Sequence, residues 1–131
     1  MTAGNTLPGP LVPVVGLGCS AGGLHALEKF FSHTPSDSGL AFVVVQHLAP
    51  QHASALAELL QRVTSMRVCE ADDGQTVEAN CVYVIPPNKD MATRGHQLVL
   101  VEPSQPRGHR LPVDIFLTAL AHSHGVLAMG V

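Results

Sequence analysis

Tryptophan is absent from this sequence, and there are only one tyrosine and four phenylalanines. A surface that grips single-stranded nucleic acid by stacking needs more aromatic faces than that. Charge is also sparse: Asp, Glu, Lys and Arg make up 13% of the residues, against a usual level of about 25%. The seven Lys and Arg are scattered along the chain and the net charge is −3. No basic patch of the kind that binds phosphate backbones can be assembled from them, which argues against a nucleic-acid partner. Long hydrophobic runs are missing too. The longest strongly apolar stretch is Leu40-Ala-Phe-Val-Val-Val45, far short of the roughly 20 residues that span a bilayer. No basic segment precedes Lys29, so no secretory signal is read and no membrane insertion is expected. The three cysteines, Cys19, Cys69 and Cys81, are odd in number and lack metal-type spacing. A reduced, cytoplasmic setting is the expectation.

What is present is an alternation of apolar patterns in 131 residues, the length of one domain. Residues 1–12 are small, uncharged and rich in Pro and Gly, and are expected to form a flexible lead-in to a domain over 13–131. Residues 13–17 form a short β-branched run that predicts a buried strand. Residues 22–33 carry Leu24, Leu27, Phe30 and Phe31 at the spacing of one helix face. After a Pro35-Ser-Asp-Ser-Gly39 turn, residues 41–45 predict a second buried strand, and 54–63 a helix with Leu56, Leu59, Leu60 and Val63 on one side. Strand, helix, strand, helix with continuously apolar strands predicts parallel βαβ units in an α/β fold. Further on, 82–85 ending in Pro86-Pro87 and 97–101 after Gly95 predict a hairpin or meander inserted in that frame. A helix is expected over 111–123 and another strand over 126–131. A buried strand with no cap or covering helix after it leads to the expectation that the chain is a fragment of a longer domain.

The strongest local signal is Gly16-Leu-Gly-Cys-Ser-Ala-Gly-Gly23, between a predicted strand and a predicted helix. Three readings compete. Gly18, Ser20 and Gly22 match G-x-S-x-G, in which a tight turn lifts a serine hydroxyl clear of the backbone and free amides at the helix start stabilise an oxyanion. Gly16, Gly18 and Ala21 match a dinucleotide loop, which further demands an acid at the end of the second strand. That strand runs instead into Gln46-His47, which weakens the nucleotide reading. The third reading is a glycine turn that only packs helix on strand. His47 favours the first. It follows the second strand as Ser20 follows the first, so a hydroxyl and an imidazole leave neighbouring strands at the same sheet edge, as a nucleophile and its general base require.

His25, His33, His52, His122 and His124 are read as surface residues, and Cys19 as inert packing. No metal set emerges from their spacing. Of the ten acids, none falls just after a predicted parallel strand: Asp72-Asp73-Gly74 reads as a turn, and Asp114 as a residue of a helix's first turn. A third residue to orient the imidazole is not found.

Four segments, Pro13-Val-Val-Gly-Leu-Gly-Cys-Ser-Ala-Gly-Gly23, Phe42-Val-Val-Val-Gln-His-Leu48, Val82-Tyr-Val-Ile-Pro-Pro87 and Pro106-Arg-Gly-His-Arg-Leu-Pro-Val-Asp114, together resemble the catalytic domain of the bacterial chemotaxis protein-glutamate methylesterases, the CheB type. They occur in the family's order. The resemblance implies a doubly wound, mainly parallel sheet with an antiparallel hairpin. It implies hydrolysis of glutamate methyl esters on chemoreceptors with release of methanol, in some members with glutamine deamidation, in the cytoplasm and without cofactor or metal. The partner it implies is the cytoplasmic helices of a methylated chemoreceptor or a related signalling protein. The family's nucleophile falls on Ser20 and its histidine on His47, with backbone amides around Ala21 and Gly22 at the oxyanion. Cys19 stands where the family commonly has a smaller residue. The family's aspartate lies in a loop after the strand beginning here at 126, so it has no counterpart in this sequence, and the resemblance covers roughly the first two thirds of the domain. With about a dozen residues before the first strand, the start is similar to hybrids in which a methylesterase domain leads into a methyltransferase. The alternative to an active esterase is an inactive form that binds a receptor or partner.

Overall fold

Two parallel strands of β-branched residues form the centre of the protein. The computed structural model describes residues 12–19, 24–46, 53–86, 89–101 and 128–130. β1 (Val14–Cys19) and β2 (Ala41–Gln46) pair in parallel, with Val14 opposite Ala41 and Cys19 opposite Gln46. Between them runs α1 (Leu24–Ser32), and after β2 comes α2 (Ala53–Gln61). β3 (Arg67–Glu70), β4 (Gln75–Thr76), β5 (Cys81–Val84), β6 (Asp90–Arg94), β7 (Gln97–Val101) and β8 (Ala128–Gly130) follow. Sheet A is parallel throughout in the order β3-β5-β2-β1-β8, and a smaller antiparallel sheet B has the order β4-β7-β6. The expected architecture, a doubly wound and mainly parallel sheet with an antiparallel hairpin, is the one found.

Strands β1, β2 and β5 of sheet A read as apolar runs because both faces are covered. Side chains alternate between the faces. On one face Val15, Leu17, Phe42, Val44, Val82 and Val84 pack with Leu27 and Phe31 of α1 and Leu56 and Leu60 of α2. On the other, Val14, Val43, Val45 and Tyr83 pack with Met91 and Leu98 of sheet B. The helix periodicity is thus the core pattern the sequence predicts. Phe31 and Phe42 meet edge to face at 5.5 Å between ring centroids, and Phe30 completes the cluster at 5.2 Å from Phe31 and 6.0 Å from Phe42.

The hairpin differs from expectation in one partner. The sequence pattern couples 82–85 with 97–101, whereas β5 lies inside the parallel sheet between β2 and β3, all four of its residues buried. The partner of β7 is β6, in the register Met91↔Leu100 and Thr93↔Leu98. The physical reason is burial: a run covered on both faces, such as β5, is uniformly apolar and belongs to sheet A, while β6, Asp-Met-Ala-Thr-Arg, runs from buried Asp90 and Met91 to exposed Arg94 and is mixed. Gly95 is the first residue of the two-residue turn and takes φ +59°, as a type II′ hairpin requires. β3 is a further parallel strand that the sequence pattern did not reveal. The turn at Asp72–Gly74 is present, with Gly74 at φ +79°. The expected helix over 111–123 and residues 1–11 of the lead-in expected over 1–12 lie outside the described residues; Val12, its last residue, is partly buried against the core.

Strand order also fixes where the chain reverses. From β1 it builds outward through β2 to β5 and β3, then returns as β8 on the other side of β1. In open parallel sheets the crevice beyond the carboxyl ends at such a reversal is where ligands bind.

Candidate functional site

The carboxyl edge of sheet A beside this reversal is built by β1 and β2. Their last residues, Cys19 and Gln46, are register partners. The next residues along the chain are Ser20 and His47, the hydroxyl and imidazole singled out from the sequence. Ser20, Ala21, Gly22 and His47 all lie outside the described residues, so it is the strand ends that define the geometry here. β8 runs parallel to β1, with Gly130 opposite Gly16, so its carboxyl end points to the same edge. β5 reaches that edge through Ile85, whose N–H donates to Val44 O at 3.0 Å and prolongs the parallel ladder one residue beyond the strand.

The dinucleotide reading needs an acid at the end of the second strand. β2 ends on Gln46, and the nearest upstream acid, Asp37, is exposed in the turn before β2. The position that would hold a ribose is therefore not acidic.

The acids following β3 alter one sequence-based expectation. No acid was placed after a parallel strand, yet Glu70 ends the parallel β3, and Asp72 and Asp73 come just after it. Their placement argues against a role with His47. β5 intervenes between β3 and β2, a lateral distance of two strand spacings, roughly 10 Å. Asp73 is also committed elsewhere: its Oδ1 accepts from Leu100 N–H at 2.9 Å and ties the turn to β7. Little in the sequence signals these acids, because β3 has only Val68 and Cys69 between the charged Arg67 and Glu70.

His25 and His33 are exposed on and after α1, as the sequence predicts, and His33 Nδ1 lies 2.8 Å from Lys29 O, where it donates to the helix end. His52, His109, His122 and His124 lie outside the described residues. Cys69 Sγ is 3.7 Å from the Gln75 amide, and Cys81 is buried. Tyr83 hydroxyl accepts from Glu78 N–H at 2.8 Å and donates to Thr76 O at 3.4 Å. Burial, with smaller contributions from the neighbouring Cys81 and Cys69, pushes its hydroxyl up to about 12 despite the bond from Glu78. Among the described residues no group of three or more His, Cys, Asp or Glu is placed to hold a metal ion, and no helix is long and apolar enough to cross a membrane.

Comparison with known proteins gives one consistent result. Residues 15–131 match the family model for the CheB methylesterase. A protein-glutamate methylesterase/protein-glutamine glutaminase of Bacillus subtilis is 33% identical over 111 residues, which cover 82% of this chain and 31% of the relative. One of the same name from Myxococcus xanthus is 34% identical over 122 residues, covering 90% of this chain and 35% of the relative. The chain thus spans about a third of the length of these relatives. In three dimensions it is similar to the crystal structure of the Thermotoga maritima CheB methylesterase catalytic domain, with a TM-score of 0.80 and 25% identity, over 90% of this chain and 65% of that one.

Proposed function

The chain belongs to the CheB methylesterase family, and from that premise we propose that it carries the nucleophile and the general base of a protein-glutamate methylesterase. Ser20 is the nucleophile and His47 the base. The observation that carries this reading is the pairing of Cys19 with Gln46, because it brings the two strand ends that lead into Ser20 and His47 side by side. A nucleophile and its base must meet within a hydrogen bond, and adjacent parallel strands in equal register deliver consecutive residues to one edge.

The reaction follows from those two groups. His47 takes the proton of the Ser20 hydroxyl as its oxygen attacks the ester carbonyl carbon. The carbonyl oxygen becomes an oxyanion, held by the backbone N–H groups at Ala21 and Gly22. As the tetrahedral species collapses, the bond to the methoxy oxygen breaks, His47 returns its proton, and methanol leaves. Water then gives a proton to His47 and adds to the acyl carbon, and the Ser20 oxygen departs with that proton, freeing the glutamate. With a glutamine side chain the same sequence expels ammonia, which matches the second half of the relatives' name. Neither step draws on a cofactor.

The substrate class is a methylated chemoreceptor or related signalling protein, acted on at its cytoplasmic helices. The test is methanol release from a methylated receptor. Release that disappears in Ser20→Ala supports the assignment. Release retained in Ser20→Ala overturns it. Receptor binding without release by the unaltered protein would replace it with the reading of an inactive, partner-binding form.

A further inference from the structure

β3 is the outermost described strand on its side of sheet A. Its odd-numbered residues turn their backbone groups to β5: Ala71 N–H donates to Val84 O at 2.9 Å, and the register Arg67↔Cys81, Cys69↔Tyr83 carries the same parity along the strand. Met66, Val68 and Glu70 accordingly turn their N–H and C=O groups outward. A row of this kind is a template for a further strand.

The row is partly occupied by a side chain. Gln61, the last residue of α2, lays its amide along it. Its Oε1 accepts from Val68 N–H at 3.0 Å, and its Nε2 donates to Met66 O at 2.7 Å and to Thr64 O at 3.2 Å. Met66 N–H in turn donates to Thr64 Oγ1 at 3.1 Å. One residue of a parallel neighbour would offer the same pair, an N–H to Met66 O and a C=O to Val68 N–H. The amide therefore stands in for a strand.

The geometry of the same groups specifies what they would otherwise bind. Two copies of β3 related by a two-fold axis through Val68 pair antiparallel, Val68 opposite Val68 and Met66 opposite Glu70, each pair exchanging two N–H···O=C bonds. That pairing needs Val68 N–H, Met66 N–H and Met66 O, the three groups that Gln61 and Thr64 hold. We propose that Gln61 is an edge guard, its amide holding the β3 backbone groups that would otherwise pair two copies of the chain through Val68. This goes beyond the esterase reading and does not depend on it.

The test is Gln61→Leu in the full chain. Gln61 is exposed, so the substitution opens no cavity in the core. Mass by sedimentation equilibrium is expected to climb with concentration towards twice the value of the unaltered protein. Exchange of the Val68 amide with solvent is expected to slow in parallel. In Gln61→Leu/Val68→Pro the mass is expected to return to the unaltered value, because proline removes the outward N–H while leaving the bonds to β5 intact. If Gln61→Leu does not fold by circular dichroism, Gln61→Asn is the substitute, since it keeps the amide but is one methylene too short. A variant that keeps the unaltered mass while its Val68 amide exchanges faster overturns the proposal, as does association that survives Val68→Pro.

Discussion

Cys19 and Gln46 stand directly opposite one another at the carboxyl ends of two adjacent parallel strands. On the proposed assignment the residues that follow them act as one unit. A serine without its base and a base without its serine are equally unproductive, so the losses do not add. Ser20→Ala and His47→Ala are each expected to lower methanol release by about 10³-fold or more, and the double variant to be scarcely slower than either single one. The measurement is single-turnover methanol release by all three. Losses that multiply would assign the two residues to separate tasks.

The same strand ends show what a sequence can reveal. β1 and β2 were legible as continuous buried runs, Val14–Leu17 and Phe42–Val45, and α1 and α2 by the one-face spacing of Leu27 with Phe31 and of Leu56 with Leu60. That order already implies that the first two strands end side by side, as the pairing of Cys19 with Gln46 shows. β3 and β6 were not legible: Arg67 and Glu70 flank only two apolar residues in β3, and Asp90, Thr93 and Arg94 leave β6 without an apolar run. β5 was visible as a strand and misassigned to the hairpin, although four buried residues in succession are the mark of a parallel strand covered on both sides. The role of Asp73 was beyond reach, since its partner Leu100 is 27 residues away and is brought near only by the pairing of β4 with β7.

Phe42 joins β2 to α1. Its ring is 1% exposed and meets Phe30 and Phe31 edge to face. Phe42→Ala is expected to destabilise the fold by about 3–5 kcal/mol, from lost burial and the cavity left behind. Phe42→Leu should cost clearly less because it refills most of that volume. Denaturant unfolding of the three proteins checks the order, and equal costs would mean that the cluster collapses around the gap.

Asn80 sits at the start of β5 with φ +63°, the one non-glycine residue with positive φ among the described residues. It also clamps the loop before β2: its N–H donates to Leu40 O at 2.7 Å, and its Oδ1 accepts from Gly39 N–H at 2.7 Å. Asn80→Gly keeps the backbone conformation and loses the side-chain bond, whereas Asn80→Ala loses the bond and strains the backbone as well. The expected costs are about 1 kcal/mol for glycine and about 2 kcal/mol for alanine. An alanine variant as stable as the glycine one would show that the bond, not the backbone, sets the preference.

Tyr83 gives a pH dependence with a definite sign. Burial raises its hydroxyl to about 12 in the folded protein, while the unfolded chain titrates near 10. The folded state thus holds the proton more tightly. The stability this contributes is fully present below pH 10 and is lost as pH rises through 12. Tyr83 is the chain's sole tyrosine and there is no tryptophan, so the near-ultraviolet absorbance of tyrosinate reports this residue alone. Its midpoint is expected near 12 in the native protein and near 10 in denaturant. Tyr83→Phe removes the bonds to Glu78 N–H and Thr76 O. It should lower stability at neutral pH by about 1 kcal/mol, and the gap to the unaltered protein should narrow across the alkaline window. A native midpoint near 10 would mean that water reaches the hydroxyl, and the burial argument for this corner of the core would fail.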